Sequence, residues 1–83
     1  MEVFPQVLLN VNVREKPDLK TIPDIINIIK SVETQLDGTG RVLVRYSGTQ
    51  PLCRIMVEGQ DESKILQYCQ QIASVVKKTI GSI

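Results

Sequence analysis

The sequence predicts an α+β fold, a two-layer sandwich whose mainly antiparallel sheet carries two helices on one face, in the order strand, helix, strand, strand, helix. Three observations lead there. Gln6 to Arg14 has a period of two, short β-branched runs flank a Ser47-Gly48-Thr49 turn, and two longer stretches repeat apolar residues at helical spacing.

The first strand sets Val7, Leu9, Val11 and Val13 on one side and Leu8, Asn10, Asn12 and Arg14 on the other, the pattern of a half-buried strand. Glu15 to Lys20 is polar and contains Pro17, so it reads as a connection. Thr21-Ile22-Pro23-Asp24 then offers a cap at Thr21 and an acidic first turn at Asp24. In the helix that follows, Ile22, Ile25, Ile26, Ile29, Val32 and Leu36 form the apolar stripe, Ile28 falls off it, and Gly38 suits a left-handed stop. Gly59 ends the third strand. Asp61-Glu62-Ser63 opens the second helix, which carries Ile65, Cys69, Ile72, Val76 and Ile80 on one side and closes on Lys77-Lys78, as the helix dipole prefers.

The runs Arg41 to Tyr46 and Cys53 to Glu58 are the arms of a hairpin. Symmetric closure sets Val42 opposite Val57, Val44 opposite Ile55 and Tyr46 opposite Cys53 on an apolar face. The other face pairs Arg41 with Glu58, Leu43 with Met56, and Arg45 with Arg54. The facing arginines destabilise an empty hairpin, by about 1 kcal/mol at ~4 Å in water and about 4 at an effective dielectric of ~20. A bound dianion reverses that sign. Ser47 and Thr49 add hydroxyls, Gly48 lets main-chain N–H groups turn toward one point, and guanidinium forks match phosphate oxygens. Singly, these residues read as solvated charges and a turn. Together, Arg45, Ser47, Gly48, Thr49 and Arg54 form a candidate phosphate site. The open face, with Asn10, Asn12, Arg14, Leu8, Leu43 and Met56 beside the two arginines, suits a ligand or a neighbouring domain.

Composition excludes other classes. With 83 residues and 42% hydrophobic content the chain is one small globular domain, and a net charge of +1 provides no general attraction to nucleic acid or membrane. An aromatic content of 4% leaves no stacking platform for single-stranded RNA or DNA, the rival use of an open α+β sheet. A regulatory or packing domain with no ligand of its own is a second rival. Cys53 and Cys69 have no metal-ligand spacing and the chain has no histidine, so buried free thiols in a reducing, soluble compartment are expected. No apolar run approaches a membrane span, and residues 1–83 are expected to carry no signal peptide. No constellation supports catalysis: Ser47 has no base and reads as a hydrogen-bond donor to phosphate, while Asp37-Gly38 and Asp61-Glu62 read as helix ends rather than metal ligands.

Arg45-Tyr46-Ser47-Gly48-Thr49-Gln50-Pro51, followed by Arg54-Ile55-Met56-Val57-Glu58-Gly59, resembles the C-terminal phosphate-binding segment of the phosphohexomutase superfamily and, within it, the bacterial phosphoglucosamine mutases. Phe4 to Val11, Lys16-Pro17 and Gly40 to Val44 extend the resemblance, while Gln50 stands where glutamate is usual and Asn12 where arginine is common. The resemblance implies that residues 1–83 are the fourth, C-terminal domain of a larger isomerase and phosphotransferase of amino-sugar biosynthesis. That enzyme interconverts glucosamine 6-phosphate and glucosamine 1-phosphate through a phosphoserine and a bisphosphorylated sugar; the alternative is a glucose or mannose mutase. By match, Arg45, Ser47, Thr49 and the Gly48 N–H hold the phosphate that is not transferred, with Arg54 a further contact. Magnesium is implied in another domain and no cofactor in this chain, whose partners are the phosphosugar and the other domains, with no nucleic acid and no membrane. A cytoplasmic location and inactivity of the isolated chain are also implied.

Overall fold

The computed structural model describes residues 4–81, so residues 1–3 and 82–83 of the expected domain lie outside the described residues. Strand β1 (Gln6–Asn12), helix α1 (Pro23–Leu36), strands β2 (Arg41–Tyr46) and β3 (Leu52–Glu58), and helix α2 (Glu62–Ile80) follow in the expected order. The sheet is antiparallel with β3 in the middle, in the order β1-β3-β2. The hairpin register is the symmetric one: Val42, Val44 and Tyr46 face Val57, Ile55 and Cys53, and Arg45 faces Arg54. β1 adds Leu8 opposite Met56 and Asn10 opposite Arg54.

Both helices cover one side of the sheet. The core joins Cys53, Ile55 and Val57 of β3 to Ile65, Cys69, Ile72 and Val76 of α2 and Ile25 and Val32 of α1, all fully or almost fully enclosed. Enclosing each of the larger aliphatic side chains contributes about 1.5–3 kcal/mol, which makes this layer the main source of stability. On α2 the whole expected stripe is buried, Asp61 accepts the Lys64 N–H at 3.2 Å, and both cysteines are free and buried.

Four local expectations are corrected. β1 leaves the ladder at Asn12 rather than Arg14, because Pro51 ahead of β3 has no N–H to offer. The Val13 N–H instead donates to the Pro51 carbonyl at 2.8 Å, the Arg14 N–H to the Ile80 carbonyl at 2.9 Å, and Val13 bridges to Gly81. Thr21 does not cap α1: it ends a 3-10 turn (Leu19–Thr21), its hydroxyl donates to the Asp18 carbonyl, and Ile22 occupies the cap position with no side-chain bond. Pro23 at the first helical position removes one orphan donor and makes a capping side chain less necessary. Ile28 packs against the core whereas Ile26 lines a surface groove, because α1 touches α2 as well as the sheet and its buried arc is turned toward both. On the open face Leu8 and Leu43 are 64% and 47% exposed, but Met56 between them is only 8% exposed, screened by its neighbours on both flanking strands.

The turn after α1 is left-handed at Asp37 as well as Gly38, with φ of 47° and 77°. Gly40 is required by crowding, since a Cβ there would run into the Glu58 carbonyl. This close approach fixes the start of β2 against the end of β3.

Candidate phosphate site

At the opposite end of the same hairpin, the strands diverge into the loop 47–51. Ser47 closes the ladder, its N–H donating to the Leu52 carbonyl at 2.9 Å. The Ser47 side chain is 8% exposed and folds over the loop, where its Oγ accepts the Thr49 and Gln50 N–H groups at 3.4 and 3.3 Å. A hydroxyl that accepts in this way keeps its own proton for an outside acceptor.

Arg45, Ser47, Gly48, Thr49 and Arg54 come together around a single open hollow of about 380 Å³, with Tyr46 as the sixth lining residue. Arg45 and Arg54 stand opposite each other in the register, on the exposed side of the sheet. Among the described residues neither has a carboxylate within ion-pair distance, whereas Arg41 lies 3.8 Å from Glu58 at the other end of the strands. Gly48 does not have a positive φ, and a Cβ there would meet nothing within 4 Å. The expectation that glycine is needed for its backbone freedom is therefore corrected: what it supplies is open space above the loop.

Two long-range bonds brace the loop from behind. The Tyr46 hydroxyl donates to the Pro17 carbonyl at 2.6 Å, and the Lys16 ammonium donates to the Ser47 carbonyl at 2.8 Å. Burial, then the nearby Cys53, Asp18 and Glu15, push the Tyr46 phenol above its ordinary value, so it remains a donor. Sequence reasoning missed both bonds because partners about thirty residues apart leave no local pattern. The connection 16–20 also walls a groove of about 620 Å³ with Ile26, Ile29, Val44 and Arg45, beside the loop.

A family profile described as the phosphoglucomutase/phosphomannomutase C-terminal domain matches residues 8–75. The chain belongs to that family. Within it, phosphoglucosamine mutases of Syntrophus aciditrophicus and Syntrophobacter fumaroxidans are 54% and 56% identical over 81 residues, covering 98% of this chain and 18% of each relative. The chain thus spans less than a fifth of the length of these curated relatives. The fold recurs in Aspergillus fumigatus N-acetylphosphoglucosamine mutase in complex with glucose 1,6-bisphosphate, with a TM-score of 0.77 and 22% identity over 95% of this chain and 16% of that one. It recurs in the same fungal enzyme in complex with GlcNAc-6P and magnesium, with a TM-score of 0.72 and 23% identity over 90% and 16% of the two chains.

Among the described residues this domain shows no group of three or more His, Cys, Asp or Glu side chains that could hold a metal ion. None of the described helices is long and apolar enough to cross a membrane.

Proposed function

We propose that the chain is the phosphate-anchoring C-terminal domain of a phosphoglucosamine mutase, and that Arg45, Ser47, Gly48, Thr49 and Arg54 hold the sugar phosphate that is not being transferred. The observation that carries this reading is the facing arginine pair, without a carboxylate partner among the described residues, set around a loop with hydroxyl and N–H donors. Arg45 and Arg54 supply charge, the Ser47 and Thr49 hydroxyls and the Gly48 N–H supply hydrogen bonds, and a dianion relieves the repulsion between the guanidinium groups. Anchoring one phosphate fixes the far end of the sugar for transfer, and phosphoryl transfer depends chiefly on positioning and charge stabilisation.

The reaction belongs to the full-length enzyme: glucosamine 6-phosphate and glucosamine 1-phosphate are interconverted by a phosphoserine and through a bisphosphorylated sugar, in cytoplasmic amino-sugar biosynthesis. Magnesium and the phosphoserine belong to other domains of the polypeptide, which are also the proposed partners of the open sheet face. The 83-residue chain alone is expected to be inactive.

Amide shifts followed during titration with glucosamine 6-phosphate, inorganic phosphate and single-stranded RNA test the reading. The sugar phosphate is expected to move Arg45 to Thr49. An Arg45→Ala chain that titrates like the parent excludes this site, and tighter RNA binding with a steep salt dependence favours the nucleic-acid alternative.

A further inference from the structure

Of the N–H groups in the loop, that of Ser47 is taken by the Leu52 carbonyl, and those of Thr49 and Gln50 are turned toward the Ser47 hydroxyl. The Gly48 N–H has no hydrogen-bond partner among the described residues. It shares one peptide plane with the Ser47 carbonyl, and the chain has no cis peptide bond among the described residues. In a trans peptide the carbonyl and the N–H point in opposite directions, so whatever holds the Ser47 oxygen aims the Gly48 N–H. Lys16 holds that oxygen at 2.8 Å. It lines the neighbouring groove and not the hollow, so the N–H is directed away from Lys16, and Gly48 itself lines the hollow.

We propose that Lys16 is a positioning residue of the phosphate site, acting through the Ser47–Gly48 peptide. The proposal rests on the phosphate-anchoring reading above. The ammonium orients the peptide and, by drawing electron density onto the carbonyl oxygen, makes the Gly48 N–H a stronger donor. The Tyr46 hydroxyl on the Pro17 carbonyl keeps the backbone next to Lys16 within reach of the loop, so the charge is delivered from a segment remote in sequence. Removing the ammonium leaves every phosphate-facing group in the chain but lets that peptide rotate.

The test uses the 83-residue chain, Lys16→Met and Lys16→Arg, with inorganic phosphate and glucosamine 6-phosphate as probes. Without ligand, Lys16→Met is expected to move the Ser47 carbonyl carbon and the Gly48 amide nitrogen while leaving resonances of the core in place. With ligand, it is expected to weaken binding on the order of ten-fold, the scale set by one hydrogen bond to a charged group. Lys16→Arg is expected to restore both readouts. Unchanged affinity in Lys16→Met, with the parent binding phosphate, overturns the role of Lys16 and leaves the site standing. Weaker binding with an unmoved Ser47 carbonyl also overturns it, because Lys16 then acts by net charge alone. A parent chain that binds neither probe removes the site itself, and the role of Lys16 with it.

Discussion

The two ends of the β2–β3 hairpin use the same strands, the same register and the same face of the sheet, yet they are built on opposite principles. At the base, Arg41 meets Glu58, and Gly40 is pressed against the Glu58 carbonyl. At the tip, Arg45 meets Arg54, neither has a carboxylate partner among the described residues, and Gly48 faces empty space. The base satisfies its charges and fills its volume within the chain. The tip leaves both unmatched within the described residues, the arrangement the proposed phosphate anchor calls for.

The largest expected effect comes from the two glycines. Gly40→Ala drives a Cβ into backbone and is expected to cost about 3 kcal/mol in urea unfolding, at the upper end of overpacking penalties. Gly48→Ala is expected to change stability by less than about 0.5 kcal/mol, while weakening phosphate binding by intruding on the hollow. Equal stability losses at the two positions would break the comparison.

The covered side of the sheet adds a pH signature. Burial pushes the Cys69 thiol up to about 11 from an ordinary 9.0, and its Sγ is positioned to donate to the Val7 and Ile55 carbonyls. Below pH 9 both folded and unfolded chains keep the proton, so the contribution is fully present. Between pH 9 and 11 the unfolded chain releases it first, and stability is expected to fall by about 2 kcal/mol as pH rises. Cys53 and Tyr46, both raised by burial, act in the same direction. Denaturation curves of Cys69→Ala across this range should be flatter than those of the parent, while phosphate contacts at the tip are unchanged.

The arginines give the smallest and sharpest contrast. Arg45→Glu replaces a like-charge pair with an opposite one and is expected to raise stability by about 0.5 kcal/mol while abolishing phosphate binding. Arg41→Ala removes an exposed ion pair and is expected to lower stability by no more than about 0.5 kcal/mol, with binding unaffected. Calorimetry with and without phosphate would separate the two.

The layers and the hairpin register were legible because alternating Val and Ile residues admit one pairing that buries them together, and a one-residue slip would expose the whole set. The α2 stripe was legible for the same reason, all of its expected members being buried. The start of α1 was not, since Thr21 and Pro23 both signal a helix and only the Asp18 carbonyl, which takes the Thr21 hydroxyl, decides between them. Ile28 was misplaced because a helical stripe shows one face, and α1 is covered from two directions. Within the candidate site the five expected residues lie side by side in the hairpin, so local spacing was enough to gather them. Lys16 reaches the loop through a tertiary bond that no periodicity encodes.

The loop is tied to the body of the domain through Lys16 and Tyr46 on one flank and through Pro51 to Val13 on the other. A closing stroke over a sugar would therefore have to swing the unit like an oar, with the phosphate cradle as the blade. On a body 38 Å in its longest dimension, a rotation of about 10° carries the far end by roughly 7 Å, enough to seal or open a cleft without melting a single strand.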